Sequence, residues 1–135
     1  NELGGITLIS LSFCYGPDLS YSDPITIQHV ANKYPNMKIC ISHGGWPQVQ
    51  SMLAVAMRCP NVYLMPDLHL YIPGWPYARD YVKAANSYLK YRTLYASAYP
   101  LRGFEQCYKG WCAQPFEPAA LKANLYDNAA RLLGL

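Results

Sequence analysis

Several things are scarce in this sequence, and each scarcity removes a class of function. Charged residues make up only 14% of the chain, against the usual quarter. The eleven basic residues are scattered and the net charge is only +3, so there is no basic stripe of the kind that binds nucleic acid. No apolar run approaches the roughly eighteen residues that a membrane-spanning helix needs. The five cysteines (14, 40, 59, 107 and 112) are an odd number with no C-x-x-C pair, which argues against a secreted disulfide framework. Cys40 falls in an apolar strand pattern and Cys14 and Cys59 fall at element ends. The expectation is therefore buried free thiols and a reducing, cytoplasmic setting. A G-x-S-x-G elbow is also missing, which argues against serine-hydrolase chemistry. The opening Asn1-Glu2-Leu3-Gly4-Gly5 has no basic segment and no initiator methionine. It does not read as a signal peptide, and it predicts that the chain is a piece of a longer one.

What the sequence has in quantity is apolar and aromatic surface. Apolar residues are 52% of the chain, with thirteen tyrosines and three tryptophans in 135 residues. That is one domain's worth of chain, or a fragment of a larger domain (1–135). So much half-polar aromatic surface predicts a cover: more chain, another subunit or a ligand.

The pattern along the chain alternates between two periods. Gly5 to Phe13 is an apolar, β-branched run long enough for a strand, broken at Cys14-Tyr15-Gly16-Pro17-Asp18. Asp23-Pro24 is an N-cap followed by proline at the first helical position. Ile27, Val30, Ala31 and Tyr34 then mark one buried helix face, and Pro35 ends that helix. Met37 to Ser42 is a second strand that delivers His43 to its carboxyl end, followed by Gly44, Gly45, Trp46 and Pro47. Pro47 is expected to open a helix buried through Val49, Met52, Leu53 and Ala56. Val62 to Met65 is a third strand, followed by a long loop from Pro66 to Trp75. Pro76 is expected to start a helix with Tyr81, Ala84, Ala85 and Tyr88 on one side. Thr93 to Ala96 reads as a fourth strand ending in Ser97-Ala98-Tyr99-Pro100. A short helix is expected over Gly103 to Lys109. Pro118 opens a final helical segment to Leu133, with a break near Tyr126-Asp127 and Gly134 as its stop. Four strand–helix units at about thirty-residue spacing are the βαβ signature. They fit a small open parallel sheet or half of an eight-stranded barrel, which takes about 250 residues.

Three segments in order resemble the amidohydrolase-2 family of metal-dependent hydrolases and decarboxylases. Lys38-Ile39-Cys40-Ile41-Ser42-His43-Gly44-Gly45 is similar to its sixth strand with an H-x-G turn. Pro60-Asn61-Val62-Tyr63-Leu64 is similar to its seventh-strand "pNvYxd". Leu94-Tyr95-Ala96-Ser97-Ala98-Tyr99-Pro100 is similar to its eighth-strand "fGSDyP". The ending Asn128-Ala129-Ala130-Arg131-Leu132-Leu133 also resembles the family's close. The resemblance implies an α/β fold of (β/α)8 TIM-barrel type, of which this chain supplies strands five to eight and the C-terminal helices. It implies a divalent metal, zinc first, and a small carboxylated or cyclic substrate for the full-length protein. The strand-one H-x-H metal pair of the family would lie outside this chain. Two positions depart from the pattern. The eighth-strand aspartate, a metal ligand and proton acceptor, falls on Ala98, and Ser10, Ser12 and Phe13 occupy the neighbourhood of the fifth-strand histidine.

His43 is the candidate catalytic residue, since a histidine at a strand's carboxyl end is where α/β folds place chemistry. The alternative is a histidine hydrogen-bonded within the strand end. Asp67 and His69 are the candidate metal ligands, because carboxylate oxygen and imidazole nitrogen together suit zinc; an exposed loop is the other reading. Gly44 allows close approach to a ligand or a simple turn. Ser97 and Tyr99 flank Ala98 and could hydrogen-bond a substrate. Trp46, Trp75 and Tyr71 could wall an aromatic substrate or sit beneath a neighbouring element, whereas His29, on the first helix, reads as structural. The functional expectation is a metal-dependent hydrolase or non-oxidative decarboxylase; the alternative is a metal-free or inactive barrel homologue used for binding. A half-barrel would expose two sheet edges, so association with the missing half or with further copies is expected, and negligible catalysis from the half alone.

Overall fold

In the computed structural model, residues 5–14 and 16–135 are described. The readings that fall on residues 1–4 and on Tyr15, within the break after the first strand, lie outside them. Three strands, β1 (Ile6–Ser10), β2 (Lys38–Ser42) and β3 (Val62–Met65), form a parallel sheet in the order β1-β2-β3. Ile6 pairs with Lys38 and Ser10 with Ser42, while Ile39 pairs with Val62 and Ser42 with Met65. The consecutive Ile39, Cys40 and Ile41 are all buried, as expected for a parallel strand covered on both faces. The β1 strand lies at the sheet edge and leaves Leu8 62% exposed.

Helix α1 (Pro24–Lys33) starts as its sequence dictates. The Asp23 carboxylate accepts the Ile25 N–H at 2.9 Å and Pro24 sits in the first turn. It buries Ile27 and Ala31 against the sheet. Tyr34, however, is exposed rather than buried, because it is the cap residue at φ −127°, outside the helical stripe. Helix α2 (Val49–Arg58) buries Val49, Met52, Leu53 and Ala56. Pro47 does not open it. The chain first makes a tight turn over His43–Gly45, closed by the Trp46 N–H to the His43 carbonyl at 3.1 Å. Trp46 then runs extended, as a residue before proline prefers.

The segment after β3 departs most from expectation. Instead of an open loop, Leu68–Tyr71 forms a short helix, α3, and all four of its residues are buried. Helix α4 (Ala78–Asn86) starts after Pro76, behind a left-handed Tyr77 at φ 69°. It buries Tyr81, Ala84 and Ala85 but leaves Tyr88 exposed beyond its end. The fourth strand, expected over Thr93–Ala96, is reduced to one parallel bridge between Leu64 and Thr93. The cause is visible in the hydrogen bonds, since the Tyr95 N–H turns to the Asn124 carbonyl at 2.9 Å. The first strand is likewise shorter than Gly5 to Phe13, because the Ser12 carbonyl accepts the Ser22 hydroxyl at 2.6 Å.

Helix α5 (Phe104–Cys112) extends past Lys109 and buries Cys107 and Trp111. The final segment comprises α6 (Pro118–Lys122), a π-helical stretch (Ala123–Asp127) and α7 (Asn128–Leu133), stopped by Gly134 at φ 78°. Two polar side chains pin the strand-four region. The Asn128 amide donates to the Lys90 and Thr93 carbonyls at 2.8 and 2.7 Å. The Arg92 guanidinium donates to the Ala56, Cys59 and Val62 carbonyls. One core joins β2, α1, α2, α4 and α5, where each fully buried aliphatic side chain contributes about 1.5–3 kcal/mol. Among the described residues, no helix is long and apolar enough to cross a membrane.

The thiols divide by environment. Cys40, Cys59 and Cys107 are buried, but Cys14 is exposed, contrary to expectation, because it lies beyond the shortened β1. Burial pushes the Cys40 thiol up to about 11, leaving little reactive thiolate. Thiol titration of the native protein near neutral pH should therefore label Cys14 rapidly, and Cys40, Cys59 and Cys107 only after denaturant is added. Rapid native labelling of Cys40 would contradict the packing of β2.

Candidate functional site

The chemistry-bearing residues gather at the carboxyl ends of β2 and β3 and at the strand-four position. Three non-glycine residues there take left-handed backbone conformations: His43 at φ 63°, Asp67 at φ 47° and Ala98 at φ 58°. Such conformations cost energy and concentrate at functional sites. Gly44 shares the geometry at φ 60°, and a Cβ there would meet the Tyr81 ring at 2.8 Å. The Tyr81 hydroxyl donates to the Gly44 carbonyl at 3.2 Å. Gly44 thus serves this close approach.

Asp67 is the centre of the site. Its carboxylate is almost wholly buried, with Oδ2 accepting the His43 backbone N–H at 3.0 Å and lying 2.8 Å from His43 Nδ1. The other oxygen, Oδ1, lies 3.0 Å from His69 Nδ1. Burial alone would raise the Asp67 pKa, but the contacts with His43 and His69 more than offset it and hold the carboxyl below its usual range. An ionised oxygen at these distances calls for a proton on each Nδ1. The Nε2 of each ring is then left as the lone-pair nitrogen. His43 is partly exposed at the cleft, whereas His69 is buried and its Nε2 has no hydrogen-bond partner. One potential ligand atom from each of His43, Asp67 and His69 lies within 4.8 Å of the others.

An open cleft of about 640 Å³ adjoins this cluster, lined among others by His43, Asp67, Ser97, Ala98 and Tyr99. The Ser97 hydroxyl accepts the Tyr99 N–H at 3.2 Å, and Tyr99 stacks on Phe104 at 4.5 Å. Asp67 and His69, read from sequence as a metal pair or an exposed loop, are brought together with His43 and are buried. Gly44 and Trp46 do not line the cleft. Trp46 instead stacks on His69 at 5.4 Å and on Trp75 at 4.8 Å, with Phe13 edge-on at 5.0 Å.

Tyr71, open in the sequence between a substrate wall and a place beneath a neighbouring element, takes a different role. The Tyr71 hydroxyl donates to the Ser97 carbonyl at 2.8 Å, and the buried Cys107 thiol donates to the same oxygen at 3.0 Å. Burial, followed by the contact with Cys107, raises the Tyr71 pKa, so it remains a donor. The helix carrying His69 is thereby tied to the turn carrying Ser97 and Ala98.

The chain matches the family model described as "Amidohydrolase" over residues 10–135. No curated protein matches it. Among solved structures it is similar to an uncharacterized TIM-barrel protein from Bordetella bronchiseptica, at 36% identity and a TM-score of 0.92. That match covers 98% of this chain but 47% of the other, so the chain spans about half of that barrel.

Removing the Asp67 carboxylate should cost stability. Asp67→Ala is expected to destabilise the protein by about 3 kcal/mol, the scale of breaking a buried ion pair, read as a shift of the urea midpoint. Because the folded pKa is depressed, this stabilisation is present above the unfolded carboxyl's pKa of about 3.9 and is lost as pH falls through the lower folded value. The stability–pH curve of Asp67→Asn should accordingly be flatter below about pH 4. An unchanged urea midpoint for Asp67→Ala would contradict a buried, ion-paired carboxylate.

Proposed function

The chain belongs to the amidohydrolase family, and on that premise we propose that the barrel it helps to build hydrolyses or non-oxidatively decarboxylates a small carboxylated or cyclic substrate. The observation that carries this reading is the buried Asp67 carboxylate holding the rings of His43 and His69 beside an open cleft. Asp67 keeps the His43 proton on Nδ1, so Nε2 can take a proton from water or substrate and return it. Ser97 and Tyr99, which also line the cleft, offer hydroxyls to orient the substrate.

The family implies a divalent metal, and the donor set here fits one. Two imidazoles and a carboxylate suit zinc, and a buried polar nitrogen such as His69 Nε2, which no protein group pairs, calls for a partner of another kind. His43 and His69 would offer Nε2 to the ion while Asp67 holds their Nδ1 protons from behind. His43 acts as the base only where its Nε2 is not taken up by the ion. When bound, such an ion polarises a substrate oxygen and lowers the pKa of coordinated water. Ala98, at the place of the family's eighth-strand aspartate, supplies neither a ligand nor a proton acceptor. That favours, as a second reading, a metal-free barrel homologue that binds without hydrolysing.

The edge strand β1, with Leu8 exposed, is proposed to pair with further β/α units, either the other half of the barrel or another copy of this chain. Free buried thiols are in keeping with a reducing compartment. In the assembled barrel with zinc supplied, lactone opening or carbon dioxide release from small cyclic acids is expected. His43→Gln is expected to lower kcat by about 10²–10⁴-fold. Equal turnover by His43→Gln and the parent would refute the role given to His43, and absence of any turnover with bound zinc would favour the binding homologue.

A further inference from the structure

We infer that His69 is a zinc-type metal ligand whose ring is fixed by the tryptophan pair Trp46–Trp75, which are positioning residues rather than substrate walls. The inference deepens the divalent-metal reading above and rests on it. Four observations support it. His69 is only 3% exposed, so bulk solvent does not reach its ring. Its Nδ1 is occupied by Asp67 Oδ1 at 3.0 Å, while its Nε2 has no hydrogen-bond partner. A buried imidazole nitrogen left unpaired is costly to keep, and among dry sites a metal ligand is the role in which the second nitrogen must be kept free of other partners. Lastly, the ring is held by aromatic faces: Trp46 lies at 5.4 Å and 28°, Trp75 at 4.5 Å and 52°, and the two indoles stack at 4.8 Å and 26°.

This arrangement separates positioning from chemistry. The carboxylate of Asp67 selects the tautomer, and the indoles limit rotation of the ring about its own bonds. The left-handed backbone at Asp67, φ 47°, sets where α3 begins and thereby where His69 is presented. Trp46 follows directly on the His43–Gly45 turn. The same short segment therefore supplies one imidazole of the cluster and half of the clamp around the other. Nitrogen donors in a dry, aromatic shell select a borderline ion such as zinc or cobalt over magnesium or calcium, which require oxygen ligands.

The test is a cobalt(II) titration of the metal-free protein, followed by its visible absorption bands and by quenching of tryptophan fluorescence, with circular dichroism of each variant as the check on folding. The parent is expected to bind one cobalt ion, displaced by zinc and not by excess magnesium. His69→Gln should weaken binding on the order of 100-fold or more, and Trp75→Leu about 10-fold, the range for groups that orient a ligand. Trp75→Phe should recover most of the loss, since it restores a ring face. Should His69→Gln fail to fold, His69→Cys serves instead. A sulfur-to-cobalt charge-transfer band is expected there if residue 69 touches the ion. Cobalt affinity in folded His69→Gln equal to that of the parent, or no such band in His69→Cys, would overturn the inference and leave the wider metal reading standing. A parent that binds no cobalt or zinc would refute that reading itself.

Discussion

One buried carboxylate organises this half of a barrel. Asp67 faces three donors presented from two strand ends: the His43 backbone N–H, the His43 ring and the His69 ring. An ionised carboxylate in a nearly dry position is stable only when so supplied. Its demand for partners draws the β2 and β3 loops together. His43 and Asp67 both take left-handed conformations where the two loops meet. The strain at both residues is offset by the contacts that it makes possible.

The rest of the fold serves to keep those strand ends in place. Asn61 donates to the carbonyls of Ala31, Tyr34 and Met37, joining the end of α1 to the start of β2. Arg92 gathers the carbonyls at the end of α2 and the start of β3, and Asn128 takes up those at the strand-four position. Tyr71 and Cys107 then fix the Ser97 carbonyl, which ties the Ser97 turn at the cleft to α3 and α5. Several of these carbonyls lie in or just after the last turn of a helix, where no further helical N–H is available.

Much of this is legible in the sequence where local rules decide the outcome. The Asp23-Pro24 cap, the Ile27 and Ala31 face, the helix stop at Pro35 and the apolar run of β2 each act within a few residues, and strand–turn–helix order follows. The amidohydrolase resemblance rests on the same kind of local motif and is borne out by the match over residues 10–135. Asp67 and His69 can be named from sequence but not placed, because a D-x-H pair says nothing about burial. Their environment comes from His43 and Trp46, on the preceding β–α turn. Thr93 to Ala96 has strand composition, yet Tyr95 pairs with Asn124 instead of a ladder. Trp46 is open between substrate and neighbour in the sequence, and its ring faces His69 and Trp75. Tyr71 and Ser97 can each be named in the sequence, but the hydrogen bond between them cannot, since they lie 26 residues apart and nothing local links them.

The central claim is that Asp67 sets the tautomer of both imidazoles. Nitrogen-15 NMR of protein labelled at histidine reads this directly, and the chain has only three histidines, with exposed His29 as an internal reference. In the metal-free protein at mildly alkaline pH, His43 and His69 are predicted to carry their proton on Nδ1, and to lose that preference in Asp67→Asn, while His29 is unchanged. Finding both rings protonated on Nε2 in the parent, with Asp67→Asn no different, would contradict the account.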